Sequence, residues 1–194
     1  MDTKSLLAPM RLAIAPAIGA SLVPVRPEHA FSLALLAGDP CISKWANVGF
    51  IDSVASAADF IARRMAEAEK GSSVTFALIA WDTLIGCCGL HSFSTEREEA
   101  EIAFWIGSPY QNRGFGSEVC CSLVGVAARI PTLSKLKARC FSKNGPAIRV
   151  LQKCGFIAVP SPPSRLEDKF TRLQLPLHSR GTEKGVVGPL VQQL

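Results

Sequence analysis

Chemistry is most legible in the run Tyr110-Gln111-Asn112-Arg113-Gly114-Phe115-Gly116-Ser117. It lies between a strand-like run ending near Ile106 and a helix-like run beginning near Gly116. The first backbone amides of a helix have no intrahelical partners, and the helix dipole adds partial positive charge there. Glycine lets a ligand approach the backbone closely. A strand, a glycine-containing loop and a helix N-terminus therefore suit a pyrophosphate, with Arg113 as a charged donor at the rim. Other anion and nucleophile motifs fail: there is no third glycine for G-x-G-x-x-G, no Gly-Lys-Ser/Thr and no G-x-S-x-G. A tight turn that binds nothing would carry the same two glycines, so the motif needs support elsewhere.

Charge supplies some. The 194-residue chain carries 21 Lys and Arg against 16 Asp and Glu, a net charge of +5. Between Pro109 and Lys153 there are eight basic residues and one acid, Glu118, so this segment is +7 and the remainder −2. A solvated basic face explains part of that excess, but not its start at the glycine loop. Nucleic-acid binding through the basic run is a weaker reading, because the whole-chain excess is mild and only 14 residues are aromatic.

The elements that must position this loop follow from periodicity. Ser21 to Val25 predicts a first strand, and Pro27-Glu28 opens a helix stopped at Gly38-Asp39-Pro40. The uncharged stretch Leu12 to Val25 loosely imitates an export signal, but Pro16 and Pro24 interrupt it. Phe60, Ile61, Met65 and Ala68 make a helical stripe after a Ser53 cap. Val74 to Ala80, Thr83 to Ser92 and Glu99 to Ile106 predict an antiparallel meander. Ser117 to Arg129 reads as helix, Leu136 to Phe141 as strand, Asn144 to Cys154 as helix, and Phe156 to Val159 and Lys169 to Leu175 as closing strands.

The run Gln111-x-x-Gly114-x-Gly116 resembles the Q/R-x-x-G-x-G/A acyl-CoA loop of the GNAT superfamily of N-acetyltransferases. The run Asn144-Gly-Pro-Ala-Ile-Arg149-Val150-Leu151-Gln-Lys153-Cys-Gly155-Phe156 resembles that superfamily's second signature, especially the RimJ/RimL branch that acetylates ribosomal-protein N-termini. Ala100-Glu101-Ile102 leading into Trp105-Ile106, with Leu84-Ile85-Gly86 and Gly89-Leu90-His91 upstream, is similar to the same branch. The resemblance covers about Met10 to Leu175.

The resemblance implies an α/β (α+β) GNAT fold: a mixed central sheet of about six to seven strands, flanking helices and a splayed strand pair that holds acyl-CoA. It implies one domain over residues 10–176 and a flexible tail over 177–194. Backbone groups of Trp105 and Ile106 would hold pantetheine as an added strand does. The amides of Gln111, Asn112, Arg113, Gly114, Phe115, Gly116 and Ser117 would hold the pyrophosphate. Asn144 would start the helix beside the thioester, and Arg149 and Lys153 would either reach the phosphates or stay solvated.

The implied reaction is acetyl transfer from acetyl-CoA to a primary amine, a protein N-terminus or a small molecule, by direct attack in a ternary complex. A strand amide near Ile106 would stabilise the oxyanion. Glu101 matches the family's acidic position as base, directly or through water, and Glu99 lies on the same strand face and could replace it. Glu101 could equally bind the cationic acceptor without taking its proton. Glu98 reads as solvated.

Departures leave a second reading open, an acyl-CoA-binding module with little turnover. The family's frequent Tyr acid is Leu151 here, and the Ser common in the ribosomal branch is Ala147. Cys154 and Ser142 are weak substitutes, and Tyr110 precedes the loop. Of the scattered His29, His91 and His178, His91 could line the acceptor pocket; Trp45 and Phe50 lie where the acceptor site is shaped, or simply pack. Seven cysteines without a C-x-x-C predict no metal site and fit a reducing cytoplasm. No membrane span or nucleic-acid partner is expected, and a homodimer is admitted but not required.

Overall fold

The computed structural model describes residues 12–14, 20–45, 51–160 and 169–177. Phe50, His178 and the tail expected beyond it lie outside the described residues. Leu177, assigned above to the tail, is buried and donates its N–H to Ser134 O at 2.7 Å, so it belongs to the folded unit.

Eight strands form one sheet: β1 (Leu12–Ile14), β2 (Ala20–Pro24), β3 (Val74–Ala80), β4 (Thr83–Ser94), β5 (Glu99–Ile106), β6 (Lys135–Phe141), β7 (Ile157–Val159) and β8 (Phe170–Pro176), in the order β1-β2-β3-β4-β5-β6-β8-β7. β1 is the strand beyond the six to seven expected; three residues are too few for an alternation signal to reveal. All neighbours are antiparallel except β5 and β6.

Helices cover both faces. On one lie α1 (Ala30–Ala37) and α3 (Val54–Glu69), with the four-residue α2 (Pro40–Ser43) following α1. α2 occupies the expected stop because Asp39 caps it, its side chain accepting from Cys41 N at 2.8 Å. Ser53 caps α3, which buries Ala57, Phe60 and Ile61 with Leu33, Ala77 and Leu84. On the other face α4 (Phe115–Ala127) and α5 (Gly145–Lys153) pack, and Phe115, Val119, Leu123 and Leu151 join Phe76, Leu78, Leu90, Ile102 and Leu136. Coverage of both faces explains why β3 and β4 read as nearly continuous apolar runs.

β5 and β6 pair in parallel over only three residue pairs, Glu99 with Lys135, Ala100 with Leu136 and Glu101 with Lys137. Beyond them the strands part, although β5 stays paired to β4 as far as Ile106 and β6 to β8 along all of its length. Glu99 staples the closed end. Lys137 Nζ donates to Oε1 at 2.7 Å, Lys135 Nζ lies 3.3 Å from Oε2, and Arg97 lies 3.7 Å away. Burial raises the Glu99 pKa, but hydrogen bonds and charge from Lys137 and Lys135 outweigh it and hold the carboxyl below its usual range.

A carboxyl with a lowered folded-state pKa contributes stability above its ordinary pKa and loses it as pH falls through the folded value. Glu99→Gln should therefore destabilise the protein at pH 7 by about 1–2 kcal/mol, a modest figure because both lysines are partly solvated. Urea unfolding should show the gap to the native chain closing as pH drops below the ordinary carboxyl value of 4.5. A gap unchanged at low pH would count against the ion-pair staple.

Candidate active site

The mouth between β5 and β6 opens into a cleft of about 630 Å³. Its floor is Phe104, Trp105 and Ile106; the loop Tyr110 to Asn112 and residues Gly114 to Ser117 form one wall, and Asn144 with α5 the other. Gly114 sits at φ +86°, a left-handed turn suited to glycine, and no side chain caps α4 behind it. Among the described residues, the amides of Phe115 and Gly116 thus have neither intrahelical nor side-chain partners. The Phe115 side chain turns into the core, 1% exposed and edge-on to Trp81 at 5.9 Å, which pins the loop from beneath. Gln111 pins it from the side, its Nε2 donating to Ile106 O at 2.9 Å.

Cations gather on the far wall. Lys143, Arg149 and Lys153 line the cleft, the last two one helical turn apart. Other members of the basic run are engaged elsewhere: Lys135 and Lys137 on Glu99, and Arg139 over the Phe170 ring at 4.8 Å. Asn144 caps α5, its Oδ1 accepting from Ala147 N at 3.3 Å. The helix therefore begins at the mouth of the splay.

A second cavity of about 310 Å³ continues from this cleft. Trp45, Phe104, Trp105, Asn144 and Ala147 line both. Its inner end is built from Phe60 and Arg64 of α3, Thr75 of β3, Cys87 and His91 of β4 and Glu101 of β5. Among the described residues Glu101 has no hydrogen-bond or ion-pair partner, while His91 faces it across the β4–β5 ladder. Burial, reinforced by the Arg64 charge against an opposing Glu67, lowers the His91 pKa to about 4, so its ring is neutral at pH 7. Burial likewise pushes the Cys87 thiol up to about 12 and raises Cys140.

Of the residues expected from sequence, the cleft gathers Trp105, Ile106, Gln111, Asn112, Gly114, Phe115, Gly116, Ser117, Asn144 and Arg149, and Glu101 lines the inner cavity. Arg113 is exposed and lines neither space. Glu99 lines neither and is committed to its lysines. The Ile106 carbonyl is engaged by Gln111. Leu151 is 3% exposed and apolar where a proton donor was sought, and neither Cys154 nor Ser142 reaches the cavities. Cys154 instead meets Cys121, Sγ to Sγ 3.1 Å, and Thr171 Oγ1 lies 3.1 Å from Ser142 Oγ.

Sequence reasoning missed Phe60, Arg64 and Thr75. The available signals were a basic residue one turn past Phe60 on an otherwise apolar helix face, and a hydroxyl inside the run Val74-Thr75-Phe76. His91 and Trp45 do line the inner cavity.

The sequence pattern of the Acetyltransferase (GNAT) domain matches residues 21–157, more than two thirds of the chain. No curated protein matches the sequence significantly. Among solved structures, the RimL ribosomal L7/L12 alpha-N-protein acetyltransferase in complex with coenzyme A superposes with a TM-score of 0.74 at 12% identity, covering 82% of this chain and 95% of that one. RimJ of Mycobacterium smegmatis with CoA-disulfide gives 0.73 at 19% identity, covering 86% of each chain. The spermidine N-acetyltransferase of Vibrio cholerae with CoA and spermine gives 0.68 at 15% identity, covering 81% and 95%. At such identities the likeness is one of fold.

The depressed His91 pKa has a stability consequence. An unfolded histidine takes up a proton below about 6.5 while the folded ring resists until about 4. Stability should therefore fall across that window, by about 3 kcal/mol at most from this group. Thermal unfolding of His91→Gln should show a shallower acid decline between pH 6.5 and 4 than the native chain. Parallel declines would mean that His91 is not held neutral.

Proposed function

The chain belongs to the GNAT acetyltransferase family, and on that premise we propose that it binds acetyl-CoA in the β5–β6 cleft and acetylates a primary amine held in the Glu101 cavity. The observation that carries this reading is the junction of the two spaces at Trp105, Asn144 and Ala147. A donor laid along one and an acceptor held in the other meet there. Bound acetyl-CoA supplies a thioester carbonyl open to attack by an amine nitrogen.

The cleft suits such a ligand at both ends. The edge of β5 that parts from β6 offers backbone groups to an extended pantetheine arm. The uncapped start of α4 offers amides to a pyrophosphate, with Lys143, Arg149 and Lys153 opposite. The RimL, RimJ and spermidine acetyltransferase structures hold coenzyme A or its disulfide on the same fold, which supports the assignment.

Glu101 serves as the base, directly or through a water. An arriving ammonium must lose a proton before its nitrogen can attack, and Glu101 is the carboxylate on the acceptor cavity without a competing partner. Glu99 is assigned to structure, because its lysines both occupy it and depress its basicity. Leu151 gives the departing sulfur no proton, but a thiol pKa of about 8.5 makes thiolate a competent leaving group. The chain therefore needs no tyrosine to turn over.

Protein mixed with acetyl-CoA and a broad amine panel should release free thiol. Coenzyme binding with no release for any amine would replace this reading with that of an acyl-CoA-binding module. Glu101→Gln should lower kcat about 100-fold and flatten its rise with pH, leaving the KM for acetyl-CoA within about twofold. An unaltered pH–rate profile would remove Glu101 from the role.

A further inference from the structure

Two thiols meet behind the cleft. Cys121 lies one turn beyond Ser117 in α4, and Cys154 directly follows Lys153 at the end of α5. They are 33 positions apart in the chain, yet their Sγ atoms lie 3.1 Å apart. A disulfide needs about 2.05 Å, so about 1 Å of closure would join them. Cys121 is exposed, so a dissolved oxidant can reach it. Resting on the coenzyme-cleft reading above, we propose that Cys121 and Cys154 form a reversible disulfide that clamps the two walls of the cleft and tightens its hold on acetyl-CoA.

The position of the pair gives the bond this effect. Ser117 and Lys153 both line the cleft, one on each wall. Cys154 Sγ also donates to Ser117 O at 3.8 Å, so the sulfur pair adjoins both residues. A Cβ at Gly116 would touch Val150 Cγ2 at 3.5 Å, which puts the first turn of α4 against α5. Among the described residues no ladder joins β5 to β6 beyond Glu101 and Lys137, so helix packing holds the walls there. Lys143, Arg149 and Lys153 face the positive end of the α4 dipole across the cleft. Glu118, the one acid between Pro109 and Lys153, pairs with none of them among the described residues. Without an anion these charges push the walls apart, and coenzyme phosphates draw them together. A covalent link at the same place does part of that work beforehand, and a preformed site binds more tightly.

The exchange balances with a low-molecular-weight disulfide as oxidant. Cys121, as thiolate, attacks that disulfide, forms a mixed disulfide and releases one thiol. The Cys154 thiolate then attacks Cys121 Sγ and expels the second thiol. Two electrons pass to the reagent, the two cysteine protons end on the released thiols, and an excess of reduced thiol reverses both steps. Burial, then the hydrogen bond and charge of Cys154, pushes the Cys121 thiol up to about 12, with Glu118 adding to the rise. Closure is therefore slow at pH 7, but the reduced form gains nothing from a stabilised thiolate that would oppose the bond. Cys120 also adjoins Cys154, and burial above all raises its thiol too. It is fully buried, so it takes no first attack from solvent.

The test equilibrates the full chain with oxidised and reduced glutathione at mildly alkaline pH, then quenches with acid. The oxidised form should show two fewer thiols than the seven of the sequence and no added glutathione mass. Trypsin should leave the peptides Gly114–Arg129 and Cys154–Arg165 joined, with fragmentation placing the link on Cys121. After glutathione is removed, calorimetric titration of acetyl-CoA, whose sulfur is blocked, should give a Kd at least about fivefold lower for the oxidised form than for the reduced one. Cys121→Ser and Cys154→Ser should each bind like the reduced native chain and lose the response to oxidation, whereas Cys120→Ala should keep it. A raised Tm would follow from any cross-link, so the affinity is the readout that a mere staple leaves unmoved. Glutathione adducts in place of the internal bond, a link through Cys120, or equal affinity in the two forms would overturn the clamp while leaving acetyl-CoA binding intact. If neither form binds acetyl-CoA, the cleft reading itself fails and the clamp with it, and the thiol count and peptide map still decide the pairing.

Discussion

The parallel ladder between β5 and β6 ends after its third residue pair, and the cleft and the cavity that continues from it open there. Two adjacent strands that stay paired bury their backbone groups in each other. Here each keeps its outer neighbour, β4 for β5 and β8 for β6, so neither is free to close the gap. Glu99 holds the closed end with two lysines supplied by β6 itself. The open end is left with unpaired strand edge, and a cleft grows from it.

Each feature around that opening has a local cause. Asn144 begins α5 at the lip because its own side chain caps the helix. Phe115 drives its ring into the core, so the flanking glycines are drawn against the sheet with their backbone outward. Gln111 ties the same loop to the last residue of β5. Of the eight basic residues between Pro109 and Lys153, two lysines close the ladder, Arg139 lies over an aromatic ring, three line the cleft, and Arg113 and Arg129 are exposed.

Much of this was legible in sequence where the cause is local. Strand alternation, the Ser53 cap and the Asn144 cap depend on residues within a turn of one another. The reading of Glu101 against Glu99 was not legible, since both share one face of one strand. Their difference comes from Lys135 and Lys137, nearly forty positions away in the chain. Arg113, whose charge beside the glycine loop reads as a rim contact, is exposed and outside the lining of the cleft.

The sequence by itself determined the order of elements, the GNAT-type loop and the second signature, because these depend on short-range periodicity, capping and glycine geometry. Only the tertiary structure decided which residues line a common space. Arg64, Thr75, His91 and Glu101 come from a helix and three strands, and nothing in their spacing relates them. Strand register sets His91 beside Glu101, and burial holds the His91 ring neutral.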